Sequence, residues 1–489
     1  MIECDLCVVG AGYAALNGLN AAAKYLEKGA RVVVIDKNPT WGGQWLHQYD
    51  FLRLHQPYHM FTAGDQGWKL DRDPMYLATR REVLDYLASV PSISGGQLDL
   101  TPLFGHAYEG HEIREGRVEL TTAPTSSAGT PVRVRAKRLL LATGAEIEIL
   151  RPFALSSTRV RSLSVCDPRL NTPELLEGDA PIYIIGSGKT AMDCALHLIR
   201  RRRGRARQIN VIAGSGMWYL ARDNIYARGA RRYYGGVVNG DVFMTMCKLY
   251  DGQNESQVME ELGRRGYVHK VWQDGGNFRT ALLSFAERAE LRAGVDQVYR
   301  GHLVDVEGTR MTVRQGQQLH AHDVPAGAYF INCTSHLRTD GLHTPLLRDS
   351  GLVCAPQFAL GLSGNSAHFI THLWMRDELG LLAHKLYRMR LDVQPKLRFV
   401  MHLSLMILAN ITMVNDVLPA QLFIRYRGDF NKWYPLYRRL PTIRSFIASR
   451  QMAMEKAERI VKVRFSDSPD RPAPPVLHDV TQLTSMREV

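Results

Sequence analysis

The stretch Leu6-Cys7-Val8-Val9-Gly10-Ala11-Gly12-Tyr13-Ala14-Ala15 decides the fold class. An apolar run with the pattern of a buried strand leads directly into a GxGxxA motif, and residues 14–26 are predicted to form a helix. The glycines allow a tight turn and let the backbone approach a pyrophosphate, while the N–H groups and dipole of a helix N-terminus favour negative charge. The stretch therefore predicts the opening unit of a dinucleotide-binding domain.

An acidic residue follows the next predicted strand. Residues 31–35 form a β-branched run that ends at Asp36. A carboxylate at this place accepts hydrogen bonds from the hydroxyl groups of a ribose. Candidate cofactor-binding residues at this first site are therefore Gly10, Gly12, Ala15, Asp36 and Lys37.

The pattern recurs in the middle of the chain, without the acid. Residues 181–185 precede a second GxGxxA motif, residues 188–200 are predicted to be helical, and strand 208–212 ends in Ala213-Gly214-Ser215. An acid would repel a 2′-phosphate, whereas a small polar residue near an arginine would accommodate one, so NADP(H) is favoured over NAD(H). The candidate residues are Gly186, Ser187, Gly188, Lys189 and Thr190 for the pyrophosphate, with Ser215 and Arg222 for the 2′-phosphate.

Two such units in 489 residues predict an α/β protein with two Rossmann-like dinucleotide-binding domains and a mainly helical C-terminal extension. Tightly held FAD in the first domain and exchangeable NADPH in the second would let hydride pass from nicotinamide to flavin. An apolar strand that ends at Thr143 and Gly144 closes the first part of the FAD domain, and both residues are candidate cofactor contacts. The predicted layout is FAD domain 1–150, linker 151–179, NADPH domain 180–335 with an insertion near 217–276, return to the FAD domain 336–390, basic helical cap 391–465 and flexible tail 466–489.

The net charge of +13 is concentrated near the C-terminus, where residues 385–464 include sixteen basic and five acidic residues. This region is also apolar, but residues 399–414 are too few for a membrane span. Two interpretations remain open: a helical cap that packs on the nucleotide domains, or an interfacial anchor on anionic lipid. Nucleic acid is not an expected partner because no nucleic-acid-binding motif accompanies the charge.

The seven cysteines are scattered, and no CxxC or CxxxxC follows either glycine motif, which excludes the flavin disulfide reductases. The N-terminus has neither a basic region nor an apolar leader, so a cytoplasmic location is expected, with peripheral membrane contact through the basic region as an option. We predict no metal site, and the sequence predicts no particular oligomeric state.

Trp41-Gly42-Gly43-Gln44-Trp45 follows Asp36, and residues 52–57 read LRLHQP. Together with the two glycine motifs and the turn at 142–144, these residues resemble the class B flavin-dependent monooxygenases, which include flavin-containing and Baeyer-Villiger monooxygenases. The resemblance implies that Gly43, Gln44 and Trp45 approach the flavin. It also implies that NADPH reduces FAD, that O2 forms a flavin C4a-peroxide, and that one oxygen atom passes to nitrogen, sulfur or a ketone of a small substrate.

The chain departs from that family at two places. The FxGxxxH fingerprint between the nucleotide domains has no counterpart, and His55 stands where Baeyer-Villiger enzymes carry an Asp. The second departure favours nitrogen or sulfur over ketone substrates. His55 and Gln56 are the candidate catalytic residues, although His55 could equally be structural. The alternative function is an FAD and NADPH oxidoreductase that passes electrons to a quinone or protein acceptor, with membrane association as an option.

Overall fold

The apolar runs beside the first glycine motif form the parallel centre of a mixed sheet. A computed structural model describes residues 1–94, 96–127, 129–144, 151–202, 208–334, 344–389 and 395–467, with strands and helices numbered along the chain. Eight strands form this first sheet: β1 (Ile2–Val9), β2 (Ala30–Asp36), β3 (Leu98–Phe104), β4 (His106–Arg114), β5 (Arg117–Pro124), β6 (Val132–Leu141), β18 (Leu347–Arg348) and β19 (Val353–Cys354). Their order is β18-β19-β6-β1-β2-β3, with β5 beside β6 and β4 beside β5. Val8 pairs in parallel register with Val34 and Leu140.

The second glycine motif begins from a second parallel sheet. Its strands are β7 (Arg161–Ser164), β8 (Ile182–Ile185), β9 (Ile209–Ile212), β13 (Gln297–Tyr299) and β17 (Tyr329–Asn332). The order is β13-β9-β8-β17-β7, and every pairing is parallel. Sheets of this kind bind ligands beyond the carboxyl ends of their strands.

Two small sheets accompany the second domain. The first contains β10 (Gly216–Ala221), β11 (Val268–Gly275) and β12 (Phe278–Leu283), and the second contains β14 (His302–Glu307), β15 (Arg310–Gln315) and β16 (Gln318–Asp323). The helices of the first 334 residues are α1 (Tyr13–Ala22), α2 (Arg80–Ser94), α3 (Pro173–Glu177), α4 (Lys189–Arg201), α5 (Arg222–Ile225), α6 (Ala230–Tyr234), α7 (Asn239–Leu249), α8 (Glu255–Arg264) and α9 (Phe285–Gly294).

The C-terminal region is helical. Its helices are α10 (Ser363–Met375), α11 (Leu379–Leu382), α12 (Lys396–Val417), α13 (Ala420–Arg425), α14 (Leu436–Ala448) and α15 (Arg450–Lys456). Helix α10 packs against α1 so closely that a Cβ on Gly364 would come within 2.2 Å of the Tyr13 ring. The chain thus returns to the first domain after its second nucleotide domain.

Helix α12 is long and apolar enough to cross a membrane, with 22 residues and a mean hydropathy of 1.7, yet 72% of that apolar window is buried within the protein. The predicted apolar segment of residues 399–414 was therefore too short. Inside the fold, Asn410 donates hydrogen bonds to the carbonyls of Ala359 and Tyr387 at 2.7 and 2.8 Å. Such buried pairing indicates a core helix rather than one facing lipid.

The predicted fold class is confirmed: two α/β nucleotide domains with a helical C-terminal region. Two details differ. Helix α1 ends at Ala22 rather than at residue 26, because the next N–H groups bond three residues back in tighter turns, as Lys24 does to Ala21. The Thr-, Ser-, Pro- and Gly-rich residues 121–130 predict a hairpin loop, but residues 121–124 belong to β5, where Thr121 pairs with Arg133 of β6. The predicted boundary at 150 and residues 468–489 of the tail lie outside the described residues.

Candidate dinucleotide sites

The first glycine of each motif has the same conformation and the same kind of neighbour. Gly10 has φ +111° and Gly186 has φ +115°, which lie in the region that favours glycine. A Cβ on Gly10 would come within 2.5 Å of the Ala142 carbonyl oxygen, and one on Gly186 within 3.3 Å of the Thr334 side chain. Both motifs therefore form the close turn that a phosphate loop needs, against the end of a neighbouring strand.

The last motif glycines precede helices whose N-termini carry no side-chain cap. Gly12 is the N-cap of α1 and Gly188 is the N-cap of α4. The first N–H groups of each helix are therefore available to an anion such as a pyrophosphate. Ala15 is buried in the first turns of α1, where a small side chain lets the helix pack on the sheet.

The Asp36 carboxylate is held at the edge of the first phosphate loop. One oxygen accepts the Ala11 N–H at 2.6 Å, and the other accepts the backbone and side-chain N–H groups of Asn38 at 2.7 and 2.8 Å. An ionised carboxylate has about four lone-pair sites, so one remains for a ribose hydroxyl. Lys37 is exposed beside it.

The residues after Gly42 bring a second loop onto the first. The Gly42 N–H donates to the Ala11 carbonyl at 3.0 Å, and a 3-10 helix, Gly43–His47, follows. Gln44 is exposed, whereas Trp45 is partly buried and meets Phe61 edge to face at 5.5 Å. On the other side of the loop Thr143 is exposed and Gly144 has φ +69°. The first-site candidates thus surround one loop, at the carboxyl ends of β1, β2 and β6.

At the second motif, Lys189 forms an ion pair with Asp193 one turn further along α4. Asp193 also accepts the Tyr49 hydroxyl at 2.8 Å, which links the first domain to this helix. The Ser187 carbonyl accepts the Tyr219 hydroxyl. Thr190 lies in the first turn of α4, partly exposed. The motif is thus anchored on the protein side and open at the helix N-terminus.

A cavity of about 410 Å³ lies at the carboxyl end of β9, beside exposed Ser215. Two exposed arginines line it: Arg292 donates to the Val271 carbonyl at 2.5 Å, and Arg300 pairs with Asp274 at 3.1 Å. This is the place of the ribose in a dinucleotide domain. With two arginines and one acid, Asp274, the cavity lining has a net positive charge.

Arg222 is buried in an ion pair, whereas Ser215 is exposed, so the pairing of Arg222 disfavours its predicted role as a phosphate contact, which stays a prediction. Its guanidinium pairs with the Glu287 carboxylate at 2.7 Å, and their side chains are 9% and 14% exposed. Burial raises the pKa of Glu287, but Arg222 and Lys189 together hold that pKa below its usual value. A buried arginine whose charge is already neutralised is poorly suited to bind an exchangeable phosphate.

His55 meets this ion pair between the two domains. Its Nδ1 accepts the Leu282 N–H at 3.0 Å, so the proton of the neutral ring lies on Nε2. Burial, with the positive charges of Lys189 and Arg222, lowers the pKa of His55 to about 3. With so low a pKa the ring is neutral at physiological pH and can donate a hydrogen bond through Nε2. Buried Gln56 has a side-chain oxygen without a hydrogen-bond partner among the described residues.

Sequence reasoning missed Asn38, Glu287, Arg292 and Arg300. Asn38 could have been found from its place two residues after Asp36, where the backbone N–H commonly donates to an Asp side chain. The other three come from the segment after β12 and reach the site only through the fold. No local pattern signals them.

Comparisons with known proteins agree with this geometry. Residues 4–215 match the family described as pyridine nucleotide-disulphide oxidoreductase. All seven cysteines of this chain are nevertheless unbonded. Uncharacterised proteins of Mycobacterium bovis and Mycobacterium tuberculosis are 25% identical over 366 residues, 68% of this chain. The chain spans 60% of the length of these curated relatives.

Two solved structures share the fold. A steroid monooxygenase bound to NADP has a TM-score of 0.50 at 15% identity, with 94% of this chain and 98% of that one covered. A polycyclic ketone monooxygenase from Thermothelomyces thermophila has a TM-score of 0.50 at 12% identity, with 93% and 89% covered. The chain therefore shares the fold of these two monooxygenases, and both of its glycine motifs lie within the matched segment of residues 4–215.

Proposed function

We propose that the protein is an FAD-dependent oxidoreductase that takes hydride from NADPH and transfers one oxygen atom from O2 to a nitrogen or sulfur atom of a small organic substrate. The observation that carries the proposal is the pair of equivalent phosphate loops, each with a positive-φ glycine against a neighbouring strand end. Two such loops fit two dinucleotides, and electron transfer between them is the chemistry that two dinucleotides permit.

The first loop fits FAD. The uncapped N-terminus of α1 offers donors to a pyrophosphate, and Asp36 keeps one acceptor site for a ribose hydroxyl. Gly43 leaves no side chain between the two loops, where a Cβ would come within 2.7 Å of Gly12. These residues bind and orient the cofactor, which when bound supplies the redox-active ring.

The second loop fits NADPH. The N-terminus of α4 offers the same donors, and the cavity with Arg292 and Arg300 has space and charge for a 2′-phosphate. Ser215 at its margin adds a small hydroxyl. Arginine is well suited to phosphate because its planar fork donates two parallel hydrogen bonds.

Between the two dinucleotide sites, His55 is held in a fixed position as a neutral hydrogen-bond donor. The Nδ1 of His55 is occupied by the Leu282 N–H, which directs the Nε2–H outward from that contact. A neutral imidazole replaces the acid expected of Baeyer-Villiger enzymes, which supports nitrogen or sulfur over a ketone. Burial of Arg222 and Glu287 beside it helps to exclude water.

The test is a stopped-flow experiment on the purified holoenzyme. Protein reduced by NADPH is mixed with O2, and the flavin absorbance, peroxide release and oxygenation of thioanisole and N,N-dimethylaniline are measured. We expect an intermediate spectrum distinct from oxidised and reduced flavin, with formation of sulfoxide or N-oxide. Direct return to oxidised flavin with one peroxide per NADPH, and no product from either probe, would overturn the proposal.

A second candidate function is electron transfer from NADPH to a quinone or protein acceptor. The observation that favours it is an exposed apolar helix with basic neighbours, α14, which offers a docking face. Rapid NADPH-dependent reduction of a short-chain quinone, with the yields of sulfoxide and N-oxide lowered when the quinone is present, would support this function.

A further inference from the structure

Helix α14 presents an apolar face to solvent. Between 40% and 59% of each of five residues is exposed: Leu436, Tyr437, Leu440, Ile443 and Ile447. Their spacing places them on one side of the helix. Unlike α12, whose apolar residues are buried, this helix contradicts the expectation that the whole cap packs its apolar side on the nucleotide domains.

The inner face of α14 is largely polar, with Phe446 as the apolar residue that packs on the core. Thr442 and the C-cap residue Ser449 are buried against the protein, and Arg438 donates to the Gly235 carbonyl at 2.9 Å. A surface helix of a water-soluble protein normally has the opposite arrangement. An exposed apolar face on a folded surface marks an interaction site, either for another protein or for a membrane.

Neighbouring elements extend the apolar face. The Tyr437 hydroxyl donates to the Tyr233 carbonyl at 3.0 Å, which fixes α6 beside α14. Tyr233, Tyr234 and, on α13, Ile424 are 47%, 85% and 71% exposed. Tyrosine suits a membrane interface because one end of the side chain is apolar and the other is polar.

Positive charge adjoins this face. A cavity of about 700 Å³ is lined by Arg425, Arg427, Lys432 and Arg439, with Ile424, Gln66 and a single acid, Asp65. Asp65 is already paired with Lys24 at 2.9 Å. Residues 420–450 include seven basic residues and one acidic residue. The surface therefore complements a phosphate-bearing, negatively charged partner.

We propose that α14, with α6 and α13, docks this protein on an anionic lipid bilayer, with the apolar face of α14 inserted and the arginines of the adjoining cavity on headgroup phosphates. Apolar insertion combined with basic flanks is what an interfacial helix requires. A second copy of this chain is disfavoured as the occupant because the same excess positive charge would face itself. The inference does not depend on the proposed function.

The test is co-sedimentation of the holoenzyme with vesicles of phosphatidylcholine alone and with one quarter phosphatidylglycerol. We expect binding to the anionic vesicles that weakens as salt rises from 50 to 500 mM. Leu440→Glu and Ile443→Glu should each weaken binding about tenfold or more, because a charge replaces an inserted apolar group. Leu319→Glu is the control, since Leu319 is an apolar residue on β16 that is even more exposed than Leu440 and Ile443, and this variant should bind like the parent protein.

A variant with fewer positive charges separates the electrostatic contribution to vesicle binding from that of apolar insertion. Arg425→Gln with Arg439→Gln should weaken binding to anionic vesicles and reduce its salt dependence, with flavin content unchanged. Absence of binding to either vesicle would overturn the proposal. So would a dimer in light scattering that Ile443→Glu dissociates, since a second copy would then cover the face.

Discussion

Gly12 and Gly43 touch through their backbones, although 30 residues of chain separate them. A Cβ on Gly43 would come within 2.7 Å of the Gly12 Cα, and one on Gly12 within 3.2 Å of the Gly43 Cα. The two motifs that were recognised separately in the sequence are thus one structural unit. Gly43 has φ +55°, so a side chain there is strained as well as obstructed.

Gly43→Ala should therefore separate the two loops and lower the FAD content of the purified protein by more than half. The reason is that Gly12, the N-cap of α1, would have to move. Bound flavin per chain, measured by absorbance after gel filtration, checks the prediction. Gly110→Ala is the control because no atom lies within 4 Å of its added Cβ, and a variant Gly43→Ala that retains full flavin would refute the role of the contact.

Arg222→Ala should destabilise the fold by roughly 3 kcal/mol, because it leaves the buried Glu287 carboxylate unpaired. Glu287 also caps α9 by accepting from Ser284, so Glu287→Gln keeps an acceptor there. The double variant Arg222→Ala with Glu287→Gln should recover part of the lost free energy of unfolding, as measured by urea unfolding. The ratio of KM values for NADPH and NADH should stay unchanged in Arg222→Ala; a selective rise for NADPH with normal stability would restore Arg222 to the phosphate site.

Arg300→Ala should raise the KM for NADPH about tenfold and that for NADH little, because a charged hydrogen bond to phosphate contributes about 1.5 kcal/mol or more. The side chain lines the cavity at the end of β9 and is exposed to an entering coenzyme. Steady-state kinetics with both coenzymes measure the effect. Arg264→Ala on α8 serves as the control, since Arg264 is an exposed arginine paired with Glu261. Equal changes for both coenzymes would place the 2′-phosphate elsewhere.

The sequence predicted what depends on local pattern. The glycine motifs, their flanking strands and Asp36 could be placed because each signal lies within a few residues of the next. The partner of Arg222 could not be predicted, since Glu287 of α9 lies 65 positions away from Arg222 of α5 and comes close to it only in the folded chain. The outward apolar face of α14 was equally hidden, because amphipathic periodicity shows that a helix has two faces but not which one meets the protein.

His55 leads to a prediction about pH. Burial and the neighbouring cations lower the pKa of the folded imidazole to about 3, whereas the unfolded chain protonates near the ordinary value of about 6.5. Between these two pKa values His55 is therefore protonated in the unfolded state but not in the folded state. The stability that His55 contributes is fully present above pH 6.5 and is lost as pH falls from about 6.5 towards 3.

His55→Asn removes this titration while its side-chain oxygen can still accept the Leu282 N–H. Between pH 6 and pH 4.5 the free energy of unfolding of the parent protein should therefore fall more steeply than that of the variant, by up to about 1.4 kcal/mol per pH unit. Urea unfolding at four pH values measures both slopes, and the other buried histidines cancel because both proteins contain them. Parallel slopes would mean that the folded ring titrates normally and that water reaches the space between the two nucleotide domains.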